Sequence, residues 1–196
     1  ISNIQGTNTV AACVVFMNAK ASKSNYRKYN IKSVNGPNDF ASMEEVVFRR
    51  YRRLIDEKKA LPQLIVIDGG KGQLSSAVKS LKKLNIESKV TIIGIAKRLE
   101  EIYFPGDSIP LYLNKKSESL KIIQNLRNEA HRFGIEFHKS KRVKNAMNSI
   151  FDNIDGVGEK TKNKLLKKYK SLAMIKKLSF EEIKGEIGSD KAKKIL

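Results

Sequence analysis

The sequence predicts an α/β protein: a mixed β-sheet flanked by helices, followed by a small all-helical domain. Three observations lead there. The run Leu64-Ile-Val-Ile67 stands between Pro62 and a glycine-rich turn, Gly69-Gly-Lys-Gly72, and reads as a fully buried central strand. Two β-rich stretches, 9–17 and 26–34, precede the first helical pattern, which argues for a mixed sheet rather than a strict strand–helix alternation. Towards the end of the chain a glycine-centred unit at Ile154 to Gly158 recurs at Lys184 to Gly188, the mark of a repeated helical motif.

In chain order, Ile1 to Ile4 reads as the tail of a strand and Thr9 to Met17 as a second strand. Asn18 to Asn25 is small and polar, as a hairpin connection is, and Tyr26 to Val34 alternates ring or aliphatic residues with charge, as a half-exposed third strand does. Gly36-Pro-Asn-Asp39 is a turn. From Phe40 to Lys59, Met43, Val46, Val47, Tyr51, Leu54 and Ile55 fall at helical spacing, with Arg49, Arg50, Arg52 and Arg53 on the opposite face. Ser75 opens a second amphipathic helix, with Leu74, Ala77, Val78, Leu81 and Leu84 on its apolar side. Lys89 to Ala96 is a further buried strand. Ile102 to Phe104 and Leu111 to Leu113, separated by Pro-Gly and Ile-Pro signals, form a short hairpin. Ser117 to about Lys139 is a long helix whose buried side includes Leu120, Ile123, Ala130 and Phe137 and which carries both histidines, His131 and His138.

A chain of 196 residues accommodates one ordinary domain and a small one, here 1–145 and 146–196. No window approaches the roughly 20 apolar residues of a membrane span, so no membrane partner is expected. The single cysteine, Cys13, excludes an internal disulfide framework and a multi-cysteine zinc site; it reads as a buried thiol in a reducing cytoplasm. The formal net charge is +19, and residues 140–196 alone hold 15 Lys and Arg against 7 Asp and Glu. Such a surface gains affinity for phosphates by releasing their counterions, so nucleic acid is the first partner to consider.

Asp68 lies at or just past the carboxyl end of the central strand, where open α/β sheets place their ligands. It is either a metal ligand or the cap of the following helix. The glycines are either a tight strand-to-helix turn or a phosphate-approaching loop with Lys71. A nucleotide P-loop would need a Ser or Thr after its Gly-Lys, and here Gly72 and Gln73 follow. Asp39 is likewise either an acidic site residue or a helix cap. The arginine face at Arg49 and Arg50 is either solvated or tracks phosphates.

In the repeat, Val157 matches Ile187 and Gly158 matches Gly188, while Glu186 stands where Gly156 stands in the first copy. Each unit reads as helix, glycine turn, helix, with backbone N–H groups at a helix start that hold a phosphate without reading bases. Lys160, Lys162, Lys164, Lys167 and Lys168 surround the first turn. This resembles a tandem helix-hairpin-helix module, a sequence-independent duplex clamp, with Gly156, Gly158, Lys160, Gly185 and Gly188 as its DNA-binding positions.

Taken together, Ile1-Ser-Asn-Ile-Gln-Gly6, Tyr26-Arg-Lys-Tyr-Asn-Ile31, Asp39-Phe-Ala-Ser-Met43, Arg49-Arg-Tyr51, Ile67-Asp-Gly-Gly-Lys-Gly-Gln73, Arg127-Asn-Glu-Ala-His-Arg-Phe133 and the terminal repeat resemble, in family order, the C-terminal half of the UvrC family, the excision nuclease subunit of bacterial nucleotide excision repair. The resemblance implies an RNase H-like endonuclease domain that uses Mg²⁺ or Mn²⁺ to make the incision 5′ to a lesion. It implies Asp68 and His131 as metal ligands and catalytic residues and Asp39 as a further acidic position, with Lys71, Gln73 and Glu129 as supports for substrate or metal. Its partners would be double-stranded DNA and, through parts of the full protein outside this chain, a UvrB–DNA complex; the chain itself is expected to be monomeric. In the family the first catalytic aspartate immediately precedes the Ile-Ser dipeptide, so this chain is expected to bind DNA without cutting it. The rival readings are a non-catalytic duplex-binding module and, behind it, a nucleotide-phosphate enzyme using the Gly69–Gly72 loop.

Overall fold

A computed structural model describes residues 2–4, 7–34, 36–96, 100–151, 157–169, 172–175 and 177–195. The chain divides into two compact units, residues 1–137 and 138–196.

The first unit opens with β1 (Ser2–Ile4) and β2 (Thr7–Cys13), then a small hairpin of β3 (Phe16–Met17) and β4 (Lys20–Ala21), then β5 (Arg27–Asn30). β2 is the centre of an antiparallel β1-β2-β5 sheet, with Val10 opposite Asn30 and Cys13 opposite Arg27. The expected 9–17 strand is thus broken after Cys13, and its end becomes β3. β5 also stops short of the expected Val34, for a physical reason. Glu45, on the following helix, accepts hydrogen bonds from the backbone N–H of Lys32 (3.1 Å) and Ser33 (2.9 Å) and from the Ser33 hydroxyl (2.7 Å). Amides held by a side chain are not available to a sheet.

Helix α1 (Asp39–Asp56) follows, buries Met43, Val46, Val47, Tyr51 and Leu54, and leaves Ile55 exposed. A second sheet holds β6 (Leu64–Asp68), β7 (Thr91–Ala96) and β8 (Glu101–Tyr103), with β6 parallel to β7 and β7 antiparallel to β8. This sheet is mixed, but among the described strands it is separate from the β1-β2-β5 sheet. Strand β6, expected to be a fully buried central strand, lies at its edge with Leu64 41% exposed, because β7 takes the middle place between β6 and β8. The second half of the expected hairpin is a single bridge, Ile102 to Leu111. Between β6 and β7 runs α2 (Lys71–Lys83), which packs Leu74, Ala77 and Leu81 against Met43, Val47, Tyr51 and Leu54 of α1. The Ser80 hydroxyl donates to the Glu44 carbonyl at 2.6 Å and locks the pair.

Helix α3 (Glu118–Phe151) is longer than its pattern suggested, because no Gly or Pro interrupts residues 135–151. Leu120 and Ile123 are buried, and Ile123 packs with Ile93, Ile95 and Ile102 of the second sheet. Farther along α3, Phe133 meets the Tyr26 ring edge-on at 5.1 Å, and Gly134 faces Ala12 of β2.

The second unit is helical: after the last part of α3 come α4 (Glu159–Tyr169), α5 (Leu172–Ile175), α6 (Phe180–Ile187) and α7 (Ser189–Ile195). Val157, Leu165, Ile175, Ile183 and Ala192 form its buried side chains among the described residues. A capping box of Ser179 and Glu182 starts α6, and Gly188, at φ +88°, ends it. No described helix is long and apolar enough to cross a membrane.

Glu45 generates a prediction. Its side chain is only 9% exposed. Burial alone would push its carboxyl up, but the Ser33 hydroxyl and amide, the Lys32 amide and the Arg49 guanidinium outweigh it and hold the value at about 2 against an ordinary 4.5. A depressed carboxylate contributes stability that is complete above the ordinary value and is lost as pH falls through the depressed one. Glu45→Gln is expected to lower the unfolding free energy by about 2 kcal/mol at neutral pH. In urea melts the difference from the parent should shrink between pH 4.5 and 2.

Candidate functional site

Asp68 closes β6, paired in register with Ile95 of β7. The residue is half-buried, and its Oδ1 is buried with no hydrogen-bond partner. It does not cap the next helix. The cap position of α2 is Gly70, which makes no side-chain cap bond. The intervening turn is held by the Gly69 N–H, which donates to the carbonyls of Ile67 (2.9 Å) and Ile95 (3.0 Å). On the other side of that turn, a Cβ at Gly94 would stand 2.8 Å from the Gly69 carbonyl oxygen, so β7 needs a glycine there.

Helix α2 begins at Lys71, four residues before the expected Ser75. Only Gly69 and Gly70 lie between strand and helix, and Gly72 is already in the first turn. The glycine-rich phosphate loop of the nucleotide-enzyme reading is therefore not a loop. Gly72 has a packing reason instead: a Cβ there would come within 2.5 Å of the Phe40 ring. A groove of about 660 Å³ lies between the starts of the two helices, lined by Pro37, Asn38, Asp39 and Phe40 of one and Gly70, Lys71, Gly72 and Gln73 of the other.

The groove brings together Asp39, Lys71 and Gln73. Asp39 is exposed and is not the helix cap; Asn38 is, accepting from the Ala41 N–H at 3.0 Å. Gln73 folds back over Gly69, occupying the space a Cβ would take. The Lys71 ammonium donates to the Ser108 carbonyl and sits 5.1 Å from the centre of the Tyr103 ring.

His131 is exposed on α3 and is not among the groove residues. Glu129 is held by Arg132 through two contacts, at 2.7 and 2.8 Å, and that guanidinium keeps its carboxyl below the usual range. The arginine face of α1 is engaged within the protein. Arg49 pairs with Glu45 at 2.7 Å and donates to the Asn30 carbonyl at 2.8 Å, while burial pushes the Tyr29 phenol up and Arg50 beside it opposes that rise only in part. Arg52 and Arg53 pair with Asp56 and Glu57.

In the second unit, Gly156 lies outside the described residues. Gly158 and Lys160 are exposed at the start of α4, and Gly188 makes the turn between α6 and α7. Gly185 lies inside α6 rather than in a turn. Glu186 receives both Lys164 and Lys168. Sequence reasoning overlooked Arg127, whose Nη1 is buried without a partner while Nη2 reaches Glu100 at 3.3 Å. Its place in the Arg127–Phe133 segment was the available signal.

Among the described residues no group of three or more His, Cys, Asp or Glu is placed to hold a metal ion, so Asp68, Asp39 and His131 are not a preassembled triad. Asp68 alone fits the chemistry: an ionisable oxygen, buried and without a donor, suits a hard cation. Mg²⁺ is commonly held by one or two carboxylates together with water and phosphate oxygens.

A family model for the UvrC RNase H endonuclease domain matches residues 1–135. A UvrABC system protein C from Flavobacterium psychrophilum is 65% identical over 194 residues, covering 99% of this chain and 32% of the relative. One from Christiangramia forsetii is 65% identical over 191 residues, 97% of this chain and 32% of the relative. One from Porphyromonas gingivalis is 57% identical over 192 residues, 98% and 32%. The chain thus spans about a third of the length of the curated relatives it matches.

The close backbone approach at Gly94 and the open space at Gly70 set up a paired test. Gly94→Ala forces a methyl against the Gly69 carbonyl and is expected to cost about 1–3 kcal/mol, read as a lower urea midpoint at unchanged slope. Gly70→Ser, where nothing lies within 4 Å of the added Cβ, should change stability by less than about 0.5 kcal/mol.

Proposed function

The chain belongs to the UvrC RNase H endonuclease family, and from that premise we propose that it is the endonuclease part of a nucleotide excision repair nuclease, cutting a phosphodiester 5′ to a lesion. One observation carries the reading: the Asp68 carboxylate ends strand β6 with a buried oxygen that no protein group satisfies. An unpaired buried polar atom is costly, and a ligand relieves the cost.

Asp68 would hold Mg²⁺ or Mn²⁺ with water and a phosphate of the substrate. The ion supplies an activated water and stabilises charge on the transferred phosphoryl. Asp39, exposed on the groove rim, orients a water or completes the coordination. His131, an exposed imidazole on α3, passes a proton to the leaving oxygen. Lys71 and Gln73 line the groove and steady the backbone of the strand being cut. The second unit acts as a tandem helix-hairpin-helix clamp, with Gly158 and Lys160 at the first helix start and Gly188 at the second turn meeting duplex phosphates. The parent protein is delivered to a UvrB–DNA complex.

A second reading, a duplex-binding module without catalysis, is favoured by the lack of a three-ligand group among the described residues. Two measurements separate them. In the full-length protein loaded on damaged duplex, Asp68→Asn and His131→Ala should each reduce incision by at least about 100-fold while DNA affinity stays within about twofold. Calorimetric titration with Mn²⁺ should lose its heat in the Asp68→Asn protein. Parent-like cutting by both variants would refute the catalytic assignment. For the clamp, Lys160→Ala should weaken binding to duplexes of every sequence alike and reduce the log K against log salt slope by roughly 0.9. An effect that depended on base sequence would count against it.

A further inference from the structure

We propose that Phe40 is a stacking platform for the base of an unpaired nucleotide, seated in the groove between the start of α1 and the start of α2. The inference rests on the endonuclease reading, since the nucleotide belongs to the DNA being cut.

Phe40 is the second residue of α1, and it is 56% exposed although Met43, Val46 and Val47 close behind it are buried. Its ring rests against the start of α2. It lies so close to the α2 backbone that an added Cβ on Gly72 would be 2.5 Å from Cε1 and 2.9 Å from Cζ. With no side chain at Gly72, the aromatic ring rests against a second helix and is still left largely in water.

The surroundings match a nucleobase rather than an apolar partner. A base has an apolar face and a hydrogen-bonding edge. Around the Phe40 ring the groove is lined by the exposed Asp39 carboxylate, suited to a base edge, and by Asn38, Lys71 and Gln73, of which Asn38 caps α1 and Lys71 donates to Ser108. The net charge of +19 favours a polyanion as the occupant. Bases inside a duplex are stacked on both faces and show only their edges in the grooves. A ring that engages a face therefore requires a nucleotide that has left the stack. The groove reads local unwinding, independently of base identity, because every base has such a face.

The chain contains no tryptophan, which allows a direct optical test. Three DNAs are compared: a paired duplex, the same duplex with a short unpaired bubble, and the bubble with abasic nucleotides. Phe40→Ala should lower affinity for the bubble roughly tenfold, leave paired duplex unchanged, and leave the salt slope unchanged because no phosphate contact is lost. Parent and Phe40→Ala should bind the abasic bubble alike. Phe40→Leu, apolar but without a π face, should behave as Phe40→Ala. Phe40→Trp should keep bubble affinity and lose emission on binding the bubble but not the abasic bubble. Equal bubble binding by the parent and Phe40→Ala, or unquenched emission in Phe40→Trp, overturns the stacking role while leaving the nuclease reading intact. A parent chain that shows no salt-sensitive binding to any of the three DNAs overturns both.

Discussion

The contact between two backbones, the Gly69 carbonyl and the Gly94 position of β7, governs the geometry of the first unit. There is no room for a Cβ between them. The Gly69 N–H meanwhile donates to Ile95, so the turn is held to β7 from both sides of its peptide. Because the turn is this tight, Asp68 ends its strand without reaching a helix start, and α2 begins at once at Lys71. That early start carries Gly72 under the Phe40 ring and brings the two helix starts together as one groove. A single side chain at position 94 would therefore displace the carboxylate, the helix and the groove together.

The charge of the chain is large, and at the positions that look most basic part of it is paired within the helix. Four arginines in five residues of α1 suggest a phosphate-tracking face, yet Arg49, Arg52 and Arg53 each meet a carboxylate one helical turn away. Exposed pairs of this kind contribute little and exchange partners readily. Arg49 differs, since it also grips the Asn30 carbonyl and the Glu45 that anchors the Lys32 and Ser33 amides. It ties β5 to α1, and losing it would weaken the fold before any DNA contact. In the second unit Glu186 plays a similar local part, drawing in Lys164 and Lys168.

Stability and chemistry pull apart at Asp68. The apolar strand behind it, with Ile65 and Ile67 buried, makes a rigid base, and the carboxylate at its end is left with an oxygen that folding does not satisfy. Elsewhere in the same unit a buried carboxylate is satisfied fully: Glu45 takes two backbone amides, a hydroxyl and a guanidinium. The contrast between two acids in one domain, one saturated and one open, separates a structural group from a candidate site.

The sequence by itself determined the elements and the family. Apolar periodicity marked α1 and α2, continuous apolar runs marked β6 and β7, and the paired segments around Asp68 and His131 carried the resemblance that the family match bears out. These are local signals, since a period of 2 or 3.6 is written in neighbouring residues. Only the tertiary structure decided the rest: that α2 starts at Lys71, that Gly94 meets the backbone of the Gly69 turn, that neither Asp39 nor Asp68 caps its helix, that Gly185 is helical, and that Phe40 is exposed against Gly72. Each depends on residues far apart in the chain meeting in space. A cap, a close backbone approach or an unsatisfied oxygen is defined by what stands opposite it, and that partner is chosen by packing.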